Sequence, residues 1–154
     1  MNRLALTLAT WFGCGYWPWG PGTAGSLAAV LLVAALHAWL GAGRITIALL
    51  VVVLLVPGIW ASTVTARLLN REDPGMVVVD EVLGQWVTLL GAVILNWKAL
   101  LLGFLLFRLF DIWKPWPIRR LENLPEGTGI VVDDLGAGAY GALVLLVSGS
   151  LGFY

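Results

Sequence analysis

The chain has 154 residues, of which 60% are hydrophobic and only 12% are charged, and its formal net charge is zero. Soluble domains average about 45–50% apolar and about 25% charged residues, so this composition argues against a soluble enzyme or a disordered chain. The zero net charge leaves no basic surface for nucleic acid, and the single cysteine, Cys14, excludes an internal disulfide framework or a CxxC metal site. We therefore expect an all-α polytopic membrane protein, with residues 1–154 forming a single domain.

The apolar segments predict about four to five transmembrane helices, because crossing the hydrocarbon core takes about 20 mostly apolar residues. The candidates in chain order are Ala24–Leu40, Ile45–Leu69, Val82–Trp97, Ala99–Phe110 and Leu135–Tyr154. Before them, the short apolar segment Leu4–Phe12 is predicted to be interfacial or re-entrant. The third and fourth candidates form either a hairpin or one long tilted helix, and we favour the hairpin because the long helix would bury Asn96 and Lys98 near mid-membrane.

The basic residues are divided unequally between the two faces that five spans would define. Arg44 and Lys98 fall on one face, and the other basic residues fall on the opposite face, namely Arg3, Arg67, Arg71, Arg108, Lys114, Arg119 and Arg120. Cytoplasmic loops carry an excess of Lys and Arg, so the second face is predicted to be cytoplasmic.

All the carboxylates are predicted on that same face, outside the proposed spans. Three groups of them are embedded in apolar sequence: Asp80-Glu81, Asp111 and Asp133-Asp134. A carboxylate at a membrane edge needs a partner or a cation, since desolvating it alone is costly. Mg²⁺ prefers oxygen ligands, so these groups form a candidate Mg²⁺ site. Helix capping by Asp80 and Asp133, or salt bridges with Lys and Arg, is the alternative.

The basic residues and a glycine-rich loop suggest an anion nearby. Arg108, Asp111 and Lys114 recur at threes and would share one helix face, where the two cations suit a phosphate. For Arg119 and Arg120, anchoring to anionic lipid is the better interpretation. The Gly/Pro-rich stretch 13–26 enters a helix, and helix N-termini bind anions. Thr23 or Ser26 could cap that helix and touch a phosphate oxygen, or the loop could be a tight turn without a ligand.

Four stretches of the chain resemble the phosphatidylglycerophosphatase A family, in the family's order. They are GYWPWGPGTAGSL (15–27), DPGMVVVDEVLGQW (73–86), FRLFDIWKPWPIR (107–119) and GTGIVVDDLGAG (127–138). The resemblance implies a multi-pass, Mg²⁺-dependent lipid phosphatase of the bacterial cytoplasmic (inner) membrane, with its active site on the cytoplasmic face. Such an enzyme converts phosphatidylglycerophosphate to phosphatidylglycerol and inorganic phosphate, a step of phospholipid biosynthesis.

Combining the resemblance with the residues gives a set of predicted roles. One or two Mg²⁺ ions would be held by Asp80, Glu81, Asp133 and Asp134. The predicted catalytic residues are Asp80, Asp111 and Asp134, with Asp111 as a further ligand or a general base. Thr23, Arg108 and Lys114 would bind the substrate phosphate. Direct attack by water and an aspartyl-phosphate intermediate on Asp80 or Asp111 both stay open.

Two other classes of function compete with a phosphatase. A cation or proton transporter would use intramembrane acids, but near the bilayer midplane rather than at one edge. A non-catalytic assembly subunit would explain the glycine-rich helices and the tryptophans, but not three acidic groups. The sequence leaves open the oligomeric state and the choice among phosphatidylglycerophosphate, phosphatidic acid and soluble phosphomonoesters.

Overall fold

A computed structural model describes residues 2–154, which form seven α-helices, one short 3₁₀ helix at Cys14–Tyr16 and no strand. The all-α prediction is therefore confirmed for this part of the chain. The helices are α1 (Asn2–Ala9), α2 (Pro21–Leu40), α3 (Arg44–Leu69), α4 (Val79–Leu89), α5 (Trp97–Trp113), α6 (Ile118–Leu121) and α7 (Gly127–Ser150).

Three of these helices, α2, α3 and α7, are long and apolar enough to cross a membrane. The first two match the predicted spans that end at Leu40 and Leu69. On α3, the large apolar side chains of Val52, Val53 and Val56 remain 69–72% exposed. Apolar surface of this extent is expected against lipid rather than water, which agrees with a membrane protein.

The short helix α4 lies at the centre of the bundle, in contact with α2, α3, α5 and α7. Its side chains Val82, Leu83 and Trp86 are at most 1% exposed. The Trp86 indole N–H donates to the carbonyl of Ala29 at 3.2 Å, which satisfies a buried donor and ties α4 to α2. Because α4 is enclosed by other helices, its apolar sequence is explained by protein packing.

The segment 82–110 forms two helices, as the favoured hairpin predicts, and the alternative of one long tilted helix is wrong. The predicted third segment was also too long, since α4 ends at Leu89 and Trp97 already belongs to α5. Asn96 starts α5 as its N-cap, and its Oδ1 accepts the backbone N–H of Ala99 at 2.9 Å. A capping side chain of this kind favours a new helix over the continuation of the old one.

Helix α7 begins at Gly127, well before the predicted start at Leu135. Asp133 and Asp134 therefore lie inside a helix, which corrects both their placement in a loop and the capping role considered for Asp133. The early start depends on α3, because Thr63 Oγ1 accepts the backbone N–H of Gly127 at 3.2 Å. Tertiary contacts can establish a helix in glycine-rich and β-branched sequence of low helix propensity.

Glycines let α4 and α7 pack backbone against backbone. A Cβ added at Gly84 would lie 2.6 Å from the carbonyl oxygen of Asp134, and one at Gly138 would collide with the carbonyl of Gly84. The Thr88 hydroxyl lies 3.3 Å from the carbonyl oxygen of Gly138 at the same contact. Small residues commonly allow such close approach between membrane helices. Here the contact sets the start of α4 beside the carboxylates of α7.

Candidate active site

The acidic groups meet at one end of the bundle because three helix segments converge there. Asp80 and Glu81 lie in the first turn of α4, Asp111 lies in the last turn of α5, and Asp133 and Asp134 lie about two turns into α7. A cavity of about 240 Å³ separates these segments. Its lining comprises Pro21, Gly22, Asp73, Gly75, Val77, Asp80, Glu81, Arg108, Asp111, Lys114, Ile130, Asp133 and Asp134.

Three of the predicted metal ligands, Asp80, Glu81 and Asp134, form a tight carboxylate cluster. Each offers one oxygen, and these oxygens all lie within 4.8 Å of one another. Among the described residues, Asp80 Oδ1, Glu81 Oε2 and Asp134 Oδ2 are buried without a hydrogen-bond partner. Leaving such acceptors unpaired is costly. Opposite ligands of Mg²⁺ lie about 4 Å apart, so a hard cation fits this set of oxygens.

The carboxylates of α4's first turn are buried and lie close to other acids. Burial raises the pKa of Asp80 well above its ordinary value, and the neighbouring charges of Glu81 and Asp134 raise it further. Burial also raises the pKa of Glu81 to about 7, although the Arg108 guanidinium opposes that shift. Crowded carboxylates resist ionisation in this way unless a cation is bound among them.

Asp133 lies outside the carboxylate cluster, although it was predicted to be a metal ligand. Its Oδ2 accepts a hydrogen bond from Lys114 Nζ at 2.6 Å, and its Oδ1 accepts the backbone N–H of Asp134 at 3.0 Å. Consecutive residues on an α-helix project about 100° apart, so Asp133 and Asp134 face different neighbours. The structure thus brings Asp134 to the cluster and Asp133 to the lysine.

Both predicted phosphate-binding cations, Arg108 of α5 and Lys114 just beyond it, line the cavity, and carboxylates hold each of them in place. Arg108 NH1 lies 2.6 Å from Asp111 Oδ2 and 3.9 Å from Glu81 Oε1. Lys114 Nζ donates to Asp133 and also to Glu122 Oε1 at 2.6 Å. Burial lowers the pKa of Lys114, but its hydrogen bonds to these two carboxylates outweigh that effect and hold the pKa above its ordinary value.

Lys114 is the C-cap residue that ends α5. This residue adopts a left-handed conformation with φ of 45°, and its backbone N–H donates to the carbonyl of Phe110 at 2.8 Å. Glycine normally occupies such a helix end, and a proline often follows, as Pro115 does here. From this position at the end of α5, Lys114 lines the cavity.

The glycine-rich segment contributes Gly22 to the cavity lining, and no side-chain hydroxyl caps the helix α2 that follows it. Helix α2 has Gly20 as its N-cap without a side-chain hydrogen bond, so the capping roles considered for Thr23 and Ser26 are wrong. Ser26 Oγ instead donates to the carbonyl of Gly22 at 2.8 Å. Thr23 is exposed and lies outside the cavity lining, whereas Gly22 lines the cavity and lies against Glu81 and Arg108.

Two residues of the site were not among those predicted from the sequence. Asp73 lines the cavity, and Glu122 holds Lys114 from the far side. Asp73 opens the second family-like stretch, the one that contains Asp80, and this motif position could have identified it. Glu122 lies between the recognised stretches, where its sequence resembles an ordinary polar loop.

Comparisons with known proteins identify relatives across nearly the whole chain. The family model described as Phosphatidylglycerophosphatase A matches residues 7–148. A Bacteroides thetaiotaomicron protein named "Putative phosphatidylinositol-3-phosphatase" is 40% identical over 94% of this chain and 93% of its own length. The phosphatidylglycerophosphatase A of Escherichia coli is 38% identical over 92% of this chain and 81% of its own length. The Haemophilus influenzae phosphatidylglycerophosphatase A is also 38% identical, over 94% and 88% respectively. No solved structure matches the chain.

Proposed function

Because this chain belongs to the phosphatidylglycerophosphatase A family, we propose that it hydrolyses phosphatidylglycerophosphate to phosphatidylglycerol and inorganic phosphate. Membership of the family makes it a phosphatase. The substrate and its place in phospholipid biosynthesis rest on the family. The dependence on Mg²⁺ rests on the cluster of unpartnered oxygens from Asp80, Glu81 and Asp134, in a cavity that Arg108 and Lys114 also line.

The three clustered carboxylates would hold Mg²⁺, which when bound neutralises phosphate oxygens and acidifies a coordinated water. Arg108 and Lys114 would bind the remaining phosphate oxygens through charge-assisted hydrogen bonds. Their own carboxylate partners keep both cations in position before the substrate arrives. Preorganised positive charge is the main requirement for phosphoryl transfer, where little covalent chemistry is left to the protein.

Asp111 is our candidate for the general base. Its Oδ2 is held by Arg108, and its carboxylate lines the same cavity as the α7 acids. In the proposed step, a water oxygen attacks phosphorus while Asp111 takes its proton. The bond from phosphorus to the alcohol oxygen breaks, and that oxygen takes up the proton that Asp111 accepted. An aspartyl-phosphate route is the competing version, and a hydroxylamine-labile phosphorylated protein would identify it.

The membrane arrangement proposed from the sequence is compatible with a lipid substrate. Helix α5 presents an exposed apolar stripe formed by Leu101, Leu105 and Leu109, which supports a fourth span beside α2, α3 and α7. With the site end on the basic, cytoplasmic face of the inner membrane, the lipid keeps its acyl chains in the bilayer while its phosphomonoester reaches the cavity.

The decisive experiment measures phosphate release from phosphatidylglycerophosphate by the purified protein in detergent, with Mg²⁺ and with EDTA. Asp80→Asn serves as the matched variant, because it removes one clustered carboxylate charge with almost no change in volume. The proposal expects release that requires metal and is lost in the variant. Absence of release from folded wild-type protein would refute the substrate assignment. A metal-independent activity would refute the role given to the cluster.

A further inference from the structure

A second and larger cavity lies next to the cavity of the site, on the side where α7 begins. Its volume is about 820 Å³, and it lies between the end of α3, the loop before α7 and the first turns of α7. Asp73, Ile130 and Asp133 line both this cavity and the smaller one, so the two are neighbours with a common wall.

The smaller cavity is below the range of about 300–1,000 Å³ that is typical of pockets for whole ligands. Its volume of about 240 Å³ suits a phosphate group with a metal ion, but not the remainder of a lipid headgroup. Whatever carries the phosphomonoester must therefore extend out of it. The larger cavity provides room for that extension directly beside the reacting group.

One of the two arginines that line the larger cavity forms a salt bridge, and the other forms none within residues 2–154. Arg67 is held by Glu126 through contacts of 2.5–2.9 Å, and Glu122 and Asp133 are held by Lys114. Glu72 and Asp73, the two remaining acids of the lining, form no salt bridge within residues 2–154 either.

Arg71 lines the cavity, is exposed and forms no salt bridge within residues 2–154. It follows directly on Asn70, the left-handed C-cap of α3, and its backbone N–H donates to the carbonyl of Ala66 at 3.1 Å. The base of the side chain is thus anchored while the guanidinium stays free for an anion.

We propose that Arg71 binds the phosphodiester of the substrate, the second anionic group of a lipid whose phosphomonoester occupies the smaller cavity. This inference rests on the proposed function and specifies its substrate class as lipids that carry both a phosphodiester and a phosphomonoester. The printed names of the Escherichia coli and Bacteroides relatives both denote substrates with these two groups. Phosphatidic acid has no phosphodiester and would lose this contact.

The test compares Arg71→Ala with Arg119→Ala, both in neutral detergent micelles. Arg119 is an exposed arginine that lines neither cavity, so its variant removes the same charge without touching the proposed contact. We measure kcat and KM for phosphatidylglycerophosphate, together with inhibition by phosphatidylglycerol and by inorganic phosphate. Phosphatidylglycerol contains only the phosphodiester, and inorganic phosphate mimics only the monoester.

For Arg71→Ala we expect KM and the inhibition constant for phosphatidylglycerol to rise about tenfold or more, as for loss of a charge-assisted hydrogen bond. Inhibition by inorganic phosphate and kcat should change less than about twofold, and Arg71→Lys should recover part of the affinity. An equal loss of phosphate inhibition, or an equal effect of Arg119→Ala, would mean a general charge effect and overturn the proposal. Unchanged KM in an active enzyme would also overturn it, whereas an inactive wild type would refute the proposed function instead.

Discussion

Replacing Gly22 with alanine tests whether the α2 N-terminus shapes the site. A Cβ at this position would collide with Glu81 Oε1, lie 2.9 Å from Glu81 Cδ and lie 3.1 Å from Arg108 NH1. Real Cβ atoms essentially never lie within 3.0 Å of a non-bonded heavy atom, so the Glu81 carboxylate must move. The displaced atoms are the flexible end of a side chain, so the fold can accommodate the change.

The expected outcome for Gly22→Ala is a loss of activity without a loss of stability. Displacing a catalytic group by about 1 Å can cost about 10²-fold in rate, and we expect kcat/KM to fall by that order. The helical backbone itself should benefit, since alanine is preferred to glycine in helices by up to about 1 kcal/mol. Phosphate release and thermal unfolding in detergent measure the two effects separately.

Gly43→Ala provides the matched control for this substitution. Gly43 is the N-cap of α3 at the opposite end of the bundle, its φ is −122°, and a Cβ there would meet nothing within 4 Å. The control should retain wild-type turnover. If Gly22→Ala also retained wild-type turnover and Mg²⁺ dependence, the position of the Glu81 carboxylate would not matter for catalysis, and its role as a ligand would be refuted.

Four further substitutions test the carboxylate cluster, the lysine and the helix packing. Asp80→Asn and Asp134→Asn should abolish Mg²⁺-dependent phosphate release, yet leave the metal-free melting temperature at or above wild type, because each removes a charge from a repulsive cluster. Lys114→Ala should lower kcat/KM and cost about 1–3 kcal/mol in unfolding free energy, since it leaves the buried Asp133 carboxylate without its cation. Gly138→Val should cost about 1–3 kcal/mol or more, because its side chain meets the backbone of α4; thermal unfolding in detergent measures this loss. Near wild-type turnover of both Asn variants would contradict the metal-binding role of the carboxylate cluster. An unchanged kcat/KM would contradict the role of Lys114, and an unchanged melting temperature for Gly138→Val would contradict the close packing of α7 on α4.

Several residues that line the cavity could be identified from the sequence because they lie in short stretches of distinctive chemical character. Asp80-Glu81 stood out as two acids between apolar residues, and the structure brings them to a cavity as expected. The spacing of Arg108 and Asp111 correctly predicted one helix face, and the 2.6 Å contact between them follows from that i,i+3 relation. Lys114 lies just beyond the helix as its C-cap, so its place on that face was not correctly predicted.

The sequence could not predict that Asp133 contacts Lys114 while Asp134 joins the carboxylate cluster, because this difference depends on where α7 begins. With a start at Leu135, both acids belonged to a loop and could have turned toward one metal. The sequence 127–132 contains two glycines and three β-branched aliphatic residues, which favour other conformations over a helix. The helix forms there because α3 supplies a partner for its first N–H group, a contact between residues distant in sequence.

The position of α4 explains why composition alone could not establish the number of spans. An apolar segment is equally suited to lipid and to the interior of a helix bundle, and α4 occupies the interior. Its burial has a chemical consequence, because the first turn of a central helix is surrounded by the ends of its neighbours. The same glycine contacts that bring α4 against α7 therefore place two acids of one helix beside an acid of another, far closer than mutual repulsion would favour. Packing energy from the apolar part of α4 can offset that repulsion, and a bound cation would then convert it into attraction.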